Sequence, residues 1–160
     1  MLKYLYVREV FSEIPSEITL GISISGCTIH CDGCHSKDLW EDAGRPLDIE
    51  ELQRLLEEHR GITCLLLLGG EHDIDGLTEL FMFAHKRVKT AWYSGLDMIP
   101  KKKNGIVRFL DYLKLGHYDP SLGGLDSPYT NQRLFEIVHT ADERFHGNDI
   151  TYKLQKKNEN

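Results

Sequence analysis

The chain has 160 residues and a mass of 18.4 kDa, which suits one domain, residues 1–160, and leaves little room for a second. Its 19 lysines and arginines against 25 aspartates and glutamates leave a net charge of −6, which argues against a nucleic-acid binder working through a basic face. The longest largely apolar stretch, Ile62 to Leu68, is far below the roughly 20 residues that span a bilayer. The N-terminus from Met1 to Glu9 has no long apolar core and no small-residue cleavage site. The expectation is an acidic, soluble, cytoplasmic protein that engages neither nucleic acid nor membrane.

In chain order, Ile18 to Ser25 alternates apolar and small or polar residues, the pattern of a half-buried strand, and runs straight into Gly26-Cys27. Asp48 is placed to cap a helix, with Glu51 three residues on and Leu52, Leu55 and Leu56 at helical spacing; Gly61 is expected to close it. Ile62 to Leu68 reads as a buried parallel strand, apolar on both faces, ending at Gly69-Gly70-Glu71. A second helix is expected from Asp75 to about Lys86, then strands over Val88–Tyr93, Phe109–Leu115, Leu134–Val138 and Asp149–Leu154. Strands alternating with helices predict an α/β fold with a mainly parallel sheet. The first three strands each end in glycine, at Gly26, Gly69-Gly70 and Gly95. Ligands of such folds sit beyond the carboxyl ends of the strands, so the site is expected at that rim.

The four cysteines carry the chemical signal. Cys27, Cys31 and Cys34 fall within eight residues in a C-x3-C-x2-C spacing, and Cys64 follows 30 residues later. Clustered thiols in a chain without a signal peptide point to metal or redox chemistry rather than to a disulfide scaffold. Three thiolates are one short of the four that fully ligate a cubane 4Fe–4S cluster, and would leave one iron open to a substrate or cofactor. A zinc site of three cysteines with His30 or His35 is an alternative, as are three inert cysteines without metal. Gly69-Gly70-Glu71 at the same rim offers open backbone and one fixed anion, which suits a ligand carrying an ammonium group.

C-x3-C-x2-C after one strand, followed by Gly-Gly-Glu after the next, resembles the radical S-adenosylmethionine superfamily. The resemblance covers roughly residues 15 to 135. It implies a partial, open parallel (β/α) barrel of about five or six strands. It further implies that Cys27, Cys31 and Cys34 ligate a 4Fe–4S cluster whose fourth iron is chelated by S-adenosylmethionine. Gly33, Cys34, His35, Gly69, Gly70 and Glu71 would then contact that cofactor, with Glu71 on the methionyl amine. No catalytic residue is implied beyond the cluster and the cofactor.

Within the superfamily, the short chain and the late segment are similar to the activating proteins of glycyl radical enzymes, in particular those of anaerobic ribonucleoside-triphosphate reductase. That segment is Asp111 to Tyr118, then Leu122-Gly123-Gly124-Leu125-Asp126-Ser127-Pro128 and Thr130-Asn131-Gln132-Arg133; Trp92-Tyr93-Ser94-Gly95 is similar to the family's third strand end. The implied activity is reductive cleavage of S-adenosylmethionine and formation of a glycyl radical on the reductase catalytic subunit, with an external electron donor such as flavodoxin or ferredoxin. A small-molecule enzyme of the deazapurine-precursor type and a non-catalytic zinc module are the alternatives. The sequence departs from the wider family at Gly33, where an aromatic residue is frequent, at His35-Ser36, and at His72, where proline often follows the Gly-Gly-acid motif. Cys64 precedes a leucine run and reads as a core residue.

Overall fold

The computed structural model describes residues 1–142 and 144–155. Its centre is one eight-stranded mixed sheet in the order β3-β1-β2-β4-β5-β6-β7-β8. The strands are β1 (Lys3–Val10), β2 (Thr19–Ile24), β3 (Arg45–Pro46), β4 (Cys64–Leu68), β5 (Lys89–Tyr93), β6 (Tyr112–Leu115), β7 (Arg133–His139) and β8 (Phe145–Asp149). Two α-helices accompany them, α1 (Ile49–Glu58) and α2 (Ile74–Ala84). Only β2, β4, β5 and β6 run parallel to their neighbours within this group; β1, β3, β7 and β8 are all joined antiparallel.

This overturns the expected open (β/α) barrel of five or six strands. The reason lies in the connections. A parallel pairing needs a crossover that returns the chain to the opposite end of the sheet. The segments carrying α1, α2 and the 3₁₀ helix Lys101–Phe109 supply three such returns. The Gly116–Gln132 connection has no crossing helix, so β7 descends antiparallel beside β6. The short Phe11–Ile18 link likewise makes β1 and β2 an antiparallel pair. The sheet ends at β3 on one side and β8 on the other, and among the described residues no pairing between them closes it.

Several elements lie where the sequence placed them, with shifted ends. The Asp48 carboxylate accepts the Glu51 amide at 2.8 Å, an N-cap that satisfies one orphan donor of α1. That helix ends at Glu58, capped by His59, so Gly61 lies beyond it and does not close it. Helix α2 starts one residue before Asp75, where Asp73 caps it through the Gly76 amide at 2.9 Å, and stops at Ala84 with His85 as its C-cap, short of Lys86. The sequence gives no sign of β1 or β3, and the strand expected over Asp149–Leu154 lies instead at Phe145–Asp149, while residues 151–153 form a 3₁₀ turn.

Strand β4 is apolar on both faces, as its sequence required. Leu65 and Leu67 pack with Leu52, Leu77 and Phe81 in the core under the helices. Cys64 and Leu66 face the other way and pack with Ile14, Ala91, Tyr112, Leu134 and Ile150. The α-helices therefore cover one face, and the other carries a smaller apolar cluster and an open cleft. Burial pushes the Cys64 thiol far above the usual range, so it stays an uncharged core group.

Candidate cluster and cofactor site

The parallel group β2, β4, β5, β6 brings the three glycine-terminated strand ends to one rim. The cysteine loop leaves β2 through Gly26, whose φ of +80° is a left-handed conformation that L side chains rarely adopt. A Cβ there would lie 3.1 Å from the His72 ring, so His72 abuts the neck of the loop. The loop is tied at its base by Gly26 N–H to Glu41 C=O at 3.0 Å and Cys27 N–H to Leu39 C=O at 2.9 Å.

Cys27, Cys31 and Cys34 are all free thiols and half-buried. Two receive backbone donors: the Ser36 amide to Cys34 Sγ and the Tyr118 amide to Cys31 Sγ, both at 3.4 Å. Hydrogen bonds to the ligating sulfurs are among the features by which a protein tunes an iron–sulfur cluster. Among the described residues no three His, Cys, Asp or Glu side chains are gathered as for a single metal ion. The donor set suits an iron–sulfur group, whose irons each take their own thiolate.

His30 lies exposed in the loop at φ +51°, stacked on Trp40 with centroids 4.2 Å apart and planes at 7°. His35 is exposed and touches the Tyr118 ring at 5.6 Å. Gly33, at φ +71°, is where Pro120 and Tyr118 close on the loop; a Cβ there would lie 3.2 Å from Pro120 Cβ. Thus the connection after β6, singled out in the sequence as the late segment, packs directly on the cysteines.

The second half of the site is built after β4. Gly69 and Gly70 adopt φ of +90° and +88°, and a Cβ on Gly70 would meet Leu77 Cδ2 at 2.8 Å. The Trp92 indole N–H donates to Gly69 C=O at 2.8 Å and fixes this turn. Glu71 follows, and its Oε1 accepts from the Gly95 amide at 2.9 Å and the Ser94 hydroxyl at 3.1 Å. Its Oε2 is buried and, among the described residues, has no hydrogen-bond partner. A half-satisfied buried carboxylate costs stability unless a cation or donor completes it.

The sequence reading did not count Ser94 or Lys114 as site residues. Lys114 is buried, and its Nζ donates to Ser94 C=O at 3.0 Å and Gly116 C=O at 2.8 Å. Burial lowers its ammonium to about 8, while the charges of Glu71, Cys31 and Asp97 work against that shift. The signal in the sequence was a lysine in an otherwise apolar strand, Tyr112-Leu113-Lys114-Leu115. Asp111, at the other end of that strand, accepts the Thr90 amide at 2.9 Å and takes no part in the rim. The basic run is partly spent on structure, since Lys103 pairs with Asp75 at 2.7 Å.

Chemically, the rim offers three thiols on one loop and, beside it, a half-buried carboxylate, one oxygen of which has no partner among the described residues. Gly95 joins the two halves, because a Cβ on it would strike Ile29 Cδ1 at 2.8 Å. Among the described residues no helix is long and apolar enough to cross a membrane. A comparison with curated proteins finds no match. Residues 18–134, which span the cysteine loop, the Gly-Gly-Glu turn and the late segment, match the model of the 4Fe-4S single cluster domain, and the chain belongs to that family.

Proposed function

We propose that this iron–sulfur protein is a radical S-adenosylmethionine activase that installs a glycyl radical on anaerobic ribonucleoside-triphosphate reductase. The observation that carries the reading is Glu71. Its Oε1 is pinned by Ser94 and Gly95 while the buried Oε2 lacks a partner among the described residues, at the rim that also holds the cysteine loop. A methionyl ammonium is a cation of the size and charge that such an oxygen accepts.

In this reading Cys27, Cys31 and Cys34 hold the cluster, and Gly33, Cys34, His35, Gly69, Gly70 and Glu71 line the cofactor. When bound, the cluster and S-adenosylmethionine supply reductive cleavage of the sulfonium and a radical able to oxidise a glycine Cα; flavodoxin or ferredoxin is the expected electron donor. The chain's own work is ligation, orientation and shielding. Gly69 and Gly70 keep side chains out of the turn, so backbone can lie against a ligand. Gly95 does the same beneath Ile29. Lys114 ties the ends of β5 and β6 together through two carbonyls and places a cation near Glu71.

The test is anaerobic reconstitution followed by electron paramagnetic resonance. Reduced protein with S-adenosylmethionine should release 5′-deoxyadenosine, and mixing with the reductase catalytic subunit should give a glycyl-radical doublet. That doublet should vanish when the acceptor glycine of the reductase is replaced by alanine. Cofactor cleavage without a radical on the reductase refutes the activase assignment, and a colourless protein that binds zinc alone refutes the whole reading.

A further inference from the structure

Strand β1 lies near one end of the sheet, and its outer side is covered by β3 only at Lys3 and Tyr4. From Leu5 to Val10, among the described residues, no strand pairs with that side, so alternate peptide N–H and C=O groups of this stretch face outward. Two hollows flank the free edge. On the helix-free face, a cleft of about 370 Å³ is bordered by Tyr6, Arg8 and Val10 and roofed by His35 and Asp38. On the helical face, a hollow of about 410 Å³ is bordered by Leu5, Val7 and Arg45. Side chains of a strand alternate between the two faces of its sheet. A strand added here would therefore set successive side chains into one hollow and then the other.

Charge indicates what fits. The edge and its hollows also hold Glu9, Glu13, Asp38 and Glu58, but these are engaged, with His59, the Ser12 amide, Tyr6 and Arg54 respectively, which leaves Arg8 on one side and Arg45 on the other as the cations without an acid partner among the described residues. Both are exposed and, among the described residues, neither is in an ion pair; Arg8 lies 5.5 Å from the Tyr6 ring. The Tyr6 hydroxyl hydrogen-bonds Asp38, which joins the edge to the segment that follows Cys34. An occupant lying along Tyr6 to Val10 is therefore led toward the cysteine loop.

We propose that the Leu5–Val10 edge of β1 receives an extended, acidic segment of the partner polypeptide as an additional strand, with carboxylates that reach Arg8 and Arg45. Main-chain pairing supplies attachment, and the two hollows supply selectivity. This rests on the activase reading, because it takes the partner to be the protein that carries the oxidised glycine.

Hydrogen–deuterium exchange on the cluster-loaded protein with S-adenosylmethionine, with and without the reductase catalytic subunit, tests it. The outward-facing amides of Leu5–Val10 should slow in the complex. Val10→Glu in one hollow and Leu5→Glu in the other should each weaken binding about tenfold or more, and Arg8→Glu should flatten its salt dependence. Iron content and 5′-deoxyadenosine release in the absence of partner should stay at wild-type values, which checks that the variants fold. Binding that protects other amides but not β1, or wild-type affinity in both the Val10→Glu and Leu5→Glu variants, overturns the inference and leaves the activase reading intact. Protection of β1 that grows with the concentration of this chain alone assigns the edge to a second copy and also overturns it. Failure of the wild-type protein to bind the reductase, while cofactor cleavage proceeds, removes the activase reading and the inference with it.

Discussion

Replacing Glu71 by glutamine removes a charge and almost no volume. The new amide oxygen can keep the two donors that now reach Oε1, Gly95 N–H at 2.9 Å and Ser94 Oγ at 3.1 Å. The amide nitrogen then takes the position of Oε2, which is buried without a partner among the described residues. The fold should barely notice, because one unpartnered polar atom replaces another. A ligand ammonium should notice strongly, since it loses a carboxylate acceptor and meets an N–H pair instead. A hydrogen bond to a charged group contributes about 1.5–3 kcal/mol, so affinity for S-adenosylmethionine should fall on the order of ten- to a hundredfold. Anaerobic calorimetry on protein of measured iron content reads this directly. The loss should come with an unchanged iron content, because Glu71 is outside the proposed ligand set. Unchanged affinity would remove Glu71 from the cofactor site, and loss of iron would show that the carboxylate supports the cluster instead.

Three further expectations follow from the same geometry. Cys27→Ala, Cys31→Ala and Cys34→Ala should each abolish cluster assembly, whereas Cys64→Ala should keep its iron and lose on the order of 1 kcal/mol of stability, measured by denaturant unfolding; loss of iron in the Cys64 variant refutes the ligand assignment. Gly70→Ala should cost roughly 2–4 kcal/mol, from a left-handed φ of +88° and a contact of 2.8 Å with Leu77, which scanning calorimetry should register as a lower Tm; a wild-type Tm would mean that the turn relaxes freely. Lys114 binds its proton less tightly folded, at about 8, than at its ordinary 10.5, so the unfolded chain holds more protons between those values and stability should rise with pH across that window. Denaturant titrations of the metal-free protein from pH 7.5 to 10 should show this rise, on the order of 3 kcal/mol at most, and Lys114→Met should abolish it; an equal slope in both proteins refutes the assignment.

Local chemistry was legible in the sequence wherever a residue acts on its neighbours. Asp48 reads as a cap because a carboxylate before a helical pattern reaches an amide three residues on, and it does so here at 2.8 Å. Leu65 to Leu67 read as a two-faced strand because a continuous apolar run has no polar face to expose, and both cores receive it. The cysteine spacing and Gly69-Gly70-Glu71 announced a site at one rim because each motif follows a strand and parallel strands share their carboxyl ends. The strand order, by contrast, is a property of connections between elements. Nothing local in Lys3–Val10 says that it precedes β2 as an antiparallel partner, and nothing in Gly116–Gln132 says that β7 turns back rather than crossing over. Those choices, made by which surfaces remain to be covered, turned an expected barrel into an open mixed sheet. They also set what no motif shows: the lone oxygen of Glu71, completed on one side by residues 94 and 95, and the buried Lys114, which meets the rim only because β6 lies beside β5. Sequence determines which groups the chain owns. Only tertiary packing decides which of them are left unsatisfied and face one another, because burial and pairing energies depend on distances between residues far apart in the chain.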